Sequence, residues 1–273
     1  MAVELLGLFG EGIDGSYSPA IHGAALRESG RRGQYMLWPV AAEDLHVAMR
    51  GAFLLGARGA NVTTPHKEEA ALLCEELDPW ARRIGAVNVL VRGPRGWVGH
   101  NTDADGFWQP LAALGRPMRS ALVLGTGGAA LAVCAALERE GAKLHVAGRN
   151  REKLGRFAIE FSAQTLDWAS RGTCQGIDLI VNATTLGSRS GESPLAEADI
   201  PQGIVVYDLL YHRTELQRRA QRRSCRVLGG GGMLLAQALL AWRLWYDEVP
   251  PHRAMASALE TAMQADVLLD KGE

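Results

Sequence analysis

Residues 121–150, ALVLGTGGAALAVCAALEREGAKLHVAGRN, decide the fold of this chain. The short apolar run ALVL predicts a buried strand, the stretch after the glycines predicts a helix, and KLHVAG predicts a second strand. Gly125, Gly127 and Ala130 fit the pattern G-x-G-x-x-A directly after the first strand. A strand, a glycine turn, a helix and a strand within about thirty residues form the βαβ unit of dinucleotide-binding folds. The segment therefore predicts a nucleotide whose phosphates lie at the start of the helix.

The end of the second predicted strand indicates which nucleotide is bound. NAD-selective sites place Asp or Glu there, where it binds the ribose 2′-hydroxyl. This chain instead has VAGRNREK, with Arg149, Asn150 and Lys153 at and just after the strand end. A guanidinium suits a 2′-phosphate by bidentate contact, so the tip favours NADP over NAD.

Strand and helix patterns alternate on both sides of this unit. Before it, ELLGLFG, QYMLWPV and ARGANV predict strands, PAIHGAALRES and EDLHVAMRGAFLL predict helices, and VNVLVRGPRGWVGH predicts a hairpin around GPRG. After it, IDLIVNAT and IVVYDLL continue the strands, and two helical stretches close the chain. This order predicts an α/β protein with mostly parallel sheets.

The closing helices follow the nucleotide unit without strands of their own, so we expect them to return to the first domain. The prediction is an N-terminal α/β substrate domain, residues 1–101 and 233–273, and a Rossmann-type dinucleotide-binding domain, residues 102–232. We expect the ligands to bind in a cleft between the two domains.

The bulk composition excludes several classes of protein. The 273 residues are 47% hydrophobic and carry a formal net charge of −1, which favours neither nucleic acid nor an anionic membrane. The chain has no apolar run long enough to span a bilayer, so we expect a cytoplasmic protein. The four cysteines are far apart and the histidines show no ligand spacing, which predicts buried free thiols and no metal site. The arginines of RRAQRRSCR, residues 218–226, are expected on an exposed helix face.

Polar residues of the first half predict a site for a hydroxylated ligand. Lys67 follows the turn NVTTP, and Asp103 lies where the first domain passes into the second. GSYSP places Ser16 and Ser18 in what we expect to be an extended segment before a helix. A lysine beside an aspartate could relay a hydroxyl proton while hydride leaves the adjacent carbon.

Several motifs, in order over nearly the whole chain, resemble the shikimate dehydrogenase family. They are S-x-S-P at 16–19, N-V-T-x-P-x-K at 61–67, G-A-V-N at 85–88, N-T-D-x-x-G at 101–106, G-x-G-G-A at 125–129, N-A-T at 182–184 and G-M-L-x-x-Q at 232–237.

The resemblance implies reversible, NADP-dependent reduction of 3-dehydroshikimate to shikimate, with Lys67 and Asp103 as the catalytic pair. The substrate residues that it implies are Ser16, Ser18, Thr63, Asn88, Tyr211 and Gln237. The cofactor residues are Gly125, Thr126, Gly127, Gly128, Ala129, Arg149, Asn150, Lys153, Thr184, Leu209 and Gly230.

Two alternatives stay open at this point. One is a paralogue that acts on quinate or an aminoshikimate, and the other is a nucleotide-sensing module without catalysis. The presence of both Lys67 and Asp103 argues against the sensor, since a sensor needs no proton relay. We expect a monomer or homodimer that binds small molecules and neither nucleic acid nor membrane.

Overall fold

The computed structural model describes residues 3–269, which divide into two compact units. The first unit runs to Thr102 and resumes at Leu235, and the second is Asp103–Leu234. The sequence-based domains ended at residues 101 and 232, and their outermost residues 1, 2 and 270–273 lie outside the described residues.

The first unit is built on a six-stranded sheet. Its strands, in chain order, are β1 (Glu4–Gly10), β2 (Gly33–Pro39), β3 (Gly59–Val62), β4 (Glu76–Leu77), β5 (Val89–Arg92) and β6 (Trp97–His100). They pair in the order β2-β1-β3-β5-β6-β4, and only β5 runs against its neighbours. The predicted hairpin is β5 and β6, closed by a hydrogen bond from Gly93 N to Gly96 O at 2.9 Å.

The helices of this stretch follow the predicted alternation. They are α1 (Ser18–Glu28), α2 (Leu45–Leu54), α3 (Lys67–Leu72) and α4 (Pro79–Ile84), with a short 3₁₀ turn at Ala42–Asp44. Met49 of α2 is buried in the core of the unit, and its carbonyl accepts a hydrogen bond from Trp97 Nε1 at 2.8 Å. This bond satisfies the one polar atom of the indole ring inside an apolar cluster.

The second unit has a fully parallel sheet. Its strands are β7 (Ser120–Leu124), β8 (Lys143–Gly148), β9 (Gln164–Asp167), β10 (Leu179–Asn182), β11 (Val205–Asp208) and β12 (Arg226–Gly229). They pair in the order β12-β11-β10-β7-β8-β9. Counted within the unit, this is the doubly wound order 3-2-1-4-5-6, whose ligand crevice lies at the carboxyl ends of the strands where the order reverses. That point lies between β7 and β10.

The helices of the second unit are α5 (Asp103–Ala112), α6 (Gly128–Arg139), α7 (Arg151–Phe161) and α8 (Glu215–Arg222), with 3₁₀ turns at Trp168–Thr173 and Glu197–Asp199. The predicted α/β class, with two mostly parallel sheets and a Rossmann-type unit, is confirmed.

Two helices complete the chain. They are α9 (Gly230–Tyr246), which begins in the second unit and ends in the first, and α10 (His252–Leu269), which packs on α1 within the first unit. Trp242 and Trp245 of α9 are buried. Most of α9 and all described residues of α10 therefore belong to the first unit.

The cysteines differ in part from the prediction. All four are free, and Cys134 and Cys174 are buried, but Cys74 and Cys225 are only half-buried. The prediction of buried thiols is thus wrong for these two, which lie in the loops just before β4 and β12. Burial still raises the pKa of the Cys74 thiol, to about 12.

The arginine-rich segment lies on α8 and beyond it, and its side chains make ion pairs. Arg219 Nε lies 3.2 Å from Glu215 Oε1, and Arg222 Nε lies 2.7 Å from Glu197 Oε2. Alternating charges of this kind are typical of a solvated helix face.

Candidate active site

The glycine turn after β7 has the geometry of a phosphate-binding loop. Gly125 has φ +116°, and a Cβ there would lie 2.8 Å from the carbonyl oxygen of Ala183, so only glycine fits. Gly127 is the N-cap of α6, and a Cβ at Gly127 or Gly128 would meet no atom within 4 Å. The loop is therefore open on the side where a phosphate would reach the backbone N–H groups.

The remaining residues of this turn hold it against the sheet. Ala130 is fully buried, which allows helix and strand to pack closely. A Cβ on Gly148 would lie only 2.5 Å from the Thr126 methyl group, so the turn also packs on the end of β8. Ala129 lies half-buried in the first turn of α6.

The tip of β8 carries the predicted 2′-phosphate residues. Arg149, Asn150 and Lys153 are all exposed. Among the described residues, no side chain bonds to Arg149 or to the ammonium group of Lys153, whereas the neighbouring Arg151 lies 3.4 Å from Asp167 Oδ2. Arg149 and Lys153 are thus two cations without a carboxylate partner among the described side chains. Such a pair at the end of a strand in a nucleotide-binding fold suits a phosphate group.

The loop after β10 is ordered by the side chain of Asn182. Its Oδ1 accepts hydrogen bonds from Thr184 N at 3.1 Å and Thr184 Oγ1 at 2.7 Å, and its Nδ2 donates to Leu186 O at 3.0 Å. Thr184, a predicted cofactor residue, thus donates its hydroxyl proton to a hydrogen bond within the loop.

Asp208, at the end of β11, is a polar residue that the sequence did not single out. It is fully buried and accepts hydrogen bonds from Asn182 Nδ2 at 3.0 Å and from Thr214 Oγ1 at 2.6 Å. Burial raises its pKa, and the hydrogen bonds from Thr214, Leu210 and Asn182 oppose that rise. This network joins the loops after β10 and β11.

The structure brings together Leu209 and Gly230, two of the predicted cofactor residues. Gly230 N donates to Leu210 O at 3.1 Å, and a Cβ on Gly230 would lie 2.1 Å from the Leu209 carbonyl oxygen. Tyr211 follows and is 44% exposed. Desolvation of its hydroxyl raises the pKa of Tyr211 to about 12, and the charge of Asp103 adds to this rise. Asp103 itself is buried at the start of α5.

The backbone around Ser16 and Ser18 differs from the predicted extended segment. Tyr17, between them, has φ −78° and ψ −8°, and Ser18 is the first residue of α1. The segment is therefore already turning into the helix and is not extended, because Pro19 favours the first helical turn. Ser16 Oγ accepts a hydrogen bond from Ser18 N at 3.3 Å.

Asn88 and Gln237, far apart in sequence, meet in the first unit. Asn88 Nδ2 donates to Gln237 Oε1 at 3.1 Å and to Thr102 Oγ1 at 3.0 Å, while Asn88 Oδ1 accepts from Thr102 N at 2.8 Å. Two predicted substrate residues are thus in one hydrogen-bonded cluster, joined by a threonine that the sequence did not single out.

Thr63 and Lys67 lie on either side of the turn after β3. Thr63 N donates to Phe9 O at 2.9 Å, which ties the turn to β1. Lys67 is half-buried and opens α3, and its carbonyl accepts a hydrogen bond from Val87 N at 2.8 Å. The exposed Glu68 and Glu69 supply the negative charge that a helix N-terminus favours.

Within the described residues, no group of three or more His, Cys, Asp or Glu side chains is arranged to hold a metal ion. Nor is any described helix both long and apolar enough to cross a membrane.

The second unit is defined by its strand order and open glycine turn as a dinucleotide-binding domain, so the chain is a two-unit α/β protein of the nucleotide-binding class. Comparisons with known proteins narrow this class. Residues 8–90 match the family model described as the shikimate dehydrogenase substrate binding domain. Shikimate dehydrogenase (NADP(+)) of Thermosynechococcus vestitus is 38% identical, over 95% of this chain and 96% of that protein. This chain belongs to the shikimate dehydrogenase family.

Solved structures have the same fold over nearly the whole chain. Shikimate 5-dehydrogenase of Thermus thermophilus, in complex with NADP(H) and shikimate, superimposes with a TM-score of 0.88 and 34% identity, covering 95% of this chain and 100% of that one. Quinate dehydrogenase of Corynebacterium glutamicum, in complex with NAD, gives a TM-score of 0.88 and 29% identity, covering 95% and 99%.

Proposed function

We propose that this protein is an NADP-dependent shikimate dehydrogenase, which reversibly reduces 3-dehydroshikimate to shikimate. The main support is the likeness to NADP-dependent relatives over almost the full length of both chains. The open glycine turn and the two cations at the end of β8 fit a dinucleotide that carries a 2′-phosphate.

The nicotinamide nucleotide would supply and accept the hydride. In the second unit, the backbone N–H groups at the start of α6 would hold the pyrophosphate, and Arg149 with Lys153 would hold the 2′-phosphate. Leu209 and Gly230 would line the nicotinamide side. Asn150 and Thr184 keep the two surrounding segments in place through the hydrogen bonds described above.

The substrate roles follow from donor and acceptor chemistry. Ser16, Ser18, Thr63, Tyr211, Asn88 and Gln237 offer uncharged hydrogen-bonding groups, which suit a ring with several hydroxyls and one carboxylate. Lys67 and Asp103 act as the catalytic pair, in which Lys67 orients the reacting hydroxyl and passes its proton.

Quinate dehydrogenase is the second candidate, since a solved quinate dehydrogenase superimposes on this chain as well as the Thermus protein does. Its structure holds NAD. The tip of β8 carries Arg149 in place of the Asp or Glu that is typical of NAD sites. The cofactor site therefore favours the NADP-dependent candidate.

A panel of two substrates and two cofactors tests the proposal. Formation of the reduced nicotinamide is followed by absorbance with shikimate or quinate and with NADP or NAD. We expect the highest kcat/KM with shikimate and NADP. Turnover with quinate and NAD alone would overturn both the substrate and the cofactor, and no turnover with any pair would favour the nucleotide-sensing module.

The location and assembly of the enzyme are also proposals. The enzyme is proposed to act in the cytoplasm. The expected monomer or homodimer is checked by light scattering on a sizing column.

A further inference from the structure

A chain of hydrogen bonds starts at Tyr35, a residue of β2 that is 8% exposed. The Tyr35 hydroxyl donates to Asn61 Oδ1 at 2.8 Å. Burial raises the pKa of Tyr35 above its usual range, so the phenol stays protonated and remains a donor.

The chain continues from Asn61 to the predicted substrate amides. Asn61 Nδ2 donates to the backbone oxygen of Asn88 at 3.1 Å. The Asn88 side chain in turn donates to Gln237 Oε1. Because that oxygen is occupied, Gln237 presents its N–H groups, which suit a carboxylate or hydroxyl oxygen.

Aromatic packing fixes the ring that carries the Tyr35 hydroxyl. His22, which is one helical turn after Ser18, stacks on Tyr35 with ring centroids 4.6 Å apart and an interplanar angle of 16°. Trp245 lies against His22 at 5.0 Å and donates from Nε1 to Leu90 O at 3.0 Å. Loss of the hydroxyl alone would therefore leave the ring in place.

We propose that Tyr35 is a positioning residue for substrate binding, which acts through Asn61 and Asn88. Its hydroxyl holds this series of hydrogen-bonded amides in one orientation. This inference rests on the proposed function, because Asn88 and Gln237 are taken as groups that bind shikimate.

The kinetic test compares Tyr35→Phe with Tyr246→Phe. Tyr246 is a matched control, since it is buried in the same unit and its hydroxyl donates to Glu4 Oε2 at 2.7 Å. We expect Tyr35→Phe to raise KM for shikimate about tenfold, as for the loss of a buried hydrogen-bond partner, with kcat and KM for NADP within about twofold. Tyr246→Phe should leave all three unchanged. Equal KM values for shikimate in the two variants would overturn the proposal.

A ligand-independent readout separates this inference from the proposed function. The side-chain amide signals of Asn88 and Gln237 are assigned in the ¹⁵N NMR spectrum of the protein without substrate. They should shift in Tyr35→Phe and stay in place in Tyr246→Phe, even if shikimate is not the substrate. Unmoved signals in Tyr35→Phe would overturn the positioning role.

A second variant covers the case in which Tyr35→Phe does not fold. Asn61→Asp keeps an acceptor for Tyr35 but removes the donor to the Asn88 carbonyl. The same NMR signals should move and KM for shikimate should rise. If neither the NMR signals nor KM changes, the hydrogen bonds through Asn61 do not link Tyr35 to Asn88 and Gln237.

Discussion

Asn150 Oδ1 accepts a hydrogen bond from the backbone N–H of Lys153 at 2.9 Å, which makes Asn150 the N-cap of α7. Arg149 precedes this cap directly, and Lys153 is its bonding partner. The cap therefore fixes the backbone between the two cations that we propose for the 2′-phosphate. The start of α7 would itself favour such an anion, as helix N-termini do.

Removal of this cap should cost stability. Asn150→Ala is expected to lower the free energy of unfolding by about 1 kcal/mol, whereas Asn150→Thr keeps a capping oxygen and should lose little. Urea unfolding of the three proteins measures the difference. Equal losses in the Ala and Thr variants would mean that the cap does not stabilise α7.

Arg149→Ala should weaken NADP binding and leave NAD binding unchanged. The loss of a charge-assisted hydrogen bond to a phosphate corresponds to about a ten- to hundredfold rise in KM for NADP. Arg156→Ala is the control, since Arg156 lies on the following helix α7 and pairs with Glu160 at 2.9 Å. A parallel rise in KM for NAD would show that Arg149 does not bind the 2′-phosphate.

Gly127→Ala should separate folding from cofactor binding. Gly127 has φ −92° and open space where its Cβ would be, so alanine is compatible with the fold. Alanine is a poorer N-cap than glycine but also restricts the unfolded chain, so the free energy of unfolding should change by less than about 1 kcal/mol. The added methyl group would nevertheless stand where the pyrophosphate approaches, so KM for NADP should rise at least about tenfold. Kinetics and urea unfolding of the same variant measure both.

Gly125→Ala is the contrasting variant. Its φ of +116° and the nearby Ala183 carbonyl make alanine strained, so we expect a loss of about 1–3 kcal/mol in unfolding free energy. If Gly127→Ala bound NADP like the wild type, the glycine turn would not be the pyrophosphate site.

The fold was largely predictable because its main signals are local. The βαβ unit around Gly125 needs only short apolar runs and glycine chemistry within one contiguous segment. The strands that were not predicted are Glu76–Leu77, Gln164–Asp167 and Arg226–Gly229, which are short and lie at sheet edges. Edge strands bury few side chains and therefore leave a weak apolar pattern.

The candidate site was predictable where its residues lie in short motifs. Asn88 and Gln237 were identified from their motifs, but their hydrogen bond depends on how α9 packs on the sheet. Tyr35 had no sequence signal. It meets Asn61 only because β2 and β3 pair on opposite sides of β1, and this tertiary register cannot be read from either strand alone.

Lys67→Ala should reduce turnover more than binding. We expect kcat to fall on the order of 10²- to 10⁴-fold with a smaller change in KM for shikimate, because the lysine is proposed to act on the reacting hydroxyl. Glu68→Ala is the control, since Glu68 is an exposed residue in the same helical turn. A near-normal kcat in Lys67→Ala would remove Lys67 from the catalytic pair.

His22 should make stability depend on pH. It is 1% exposed, and burial lowers its pKa from 6.5 to about 3. Between these two values the unfolded chain binds a proton at His22 that the folded protein does not bind. The free energy of unfolding should therefore fall as the pH decreases from about 6.5, by up to about 1.4 kcal/mol per pH unit.

His22→Phe keeps a ring against Tyr35 but cannot titrate, so its unfolding free energy should fall less steeply over the same range. Urea unfolding at intervals from pH 7 to pH 4 measures the two slopes, with His46→Gln as the control because His46 is exposed. Parallel curves for wild type and His22→Phe would show that His22 is not held neutral in the folded protein.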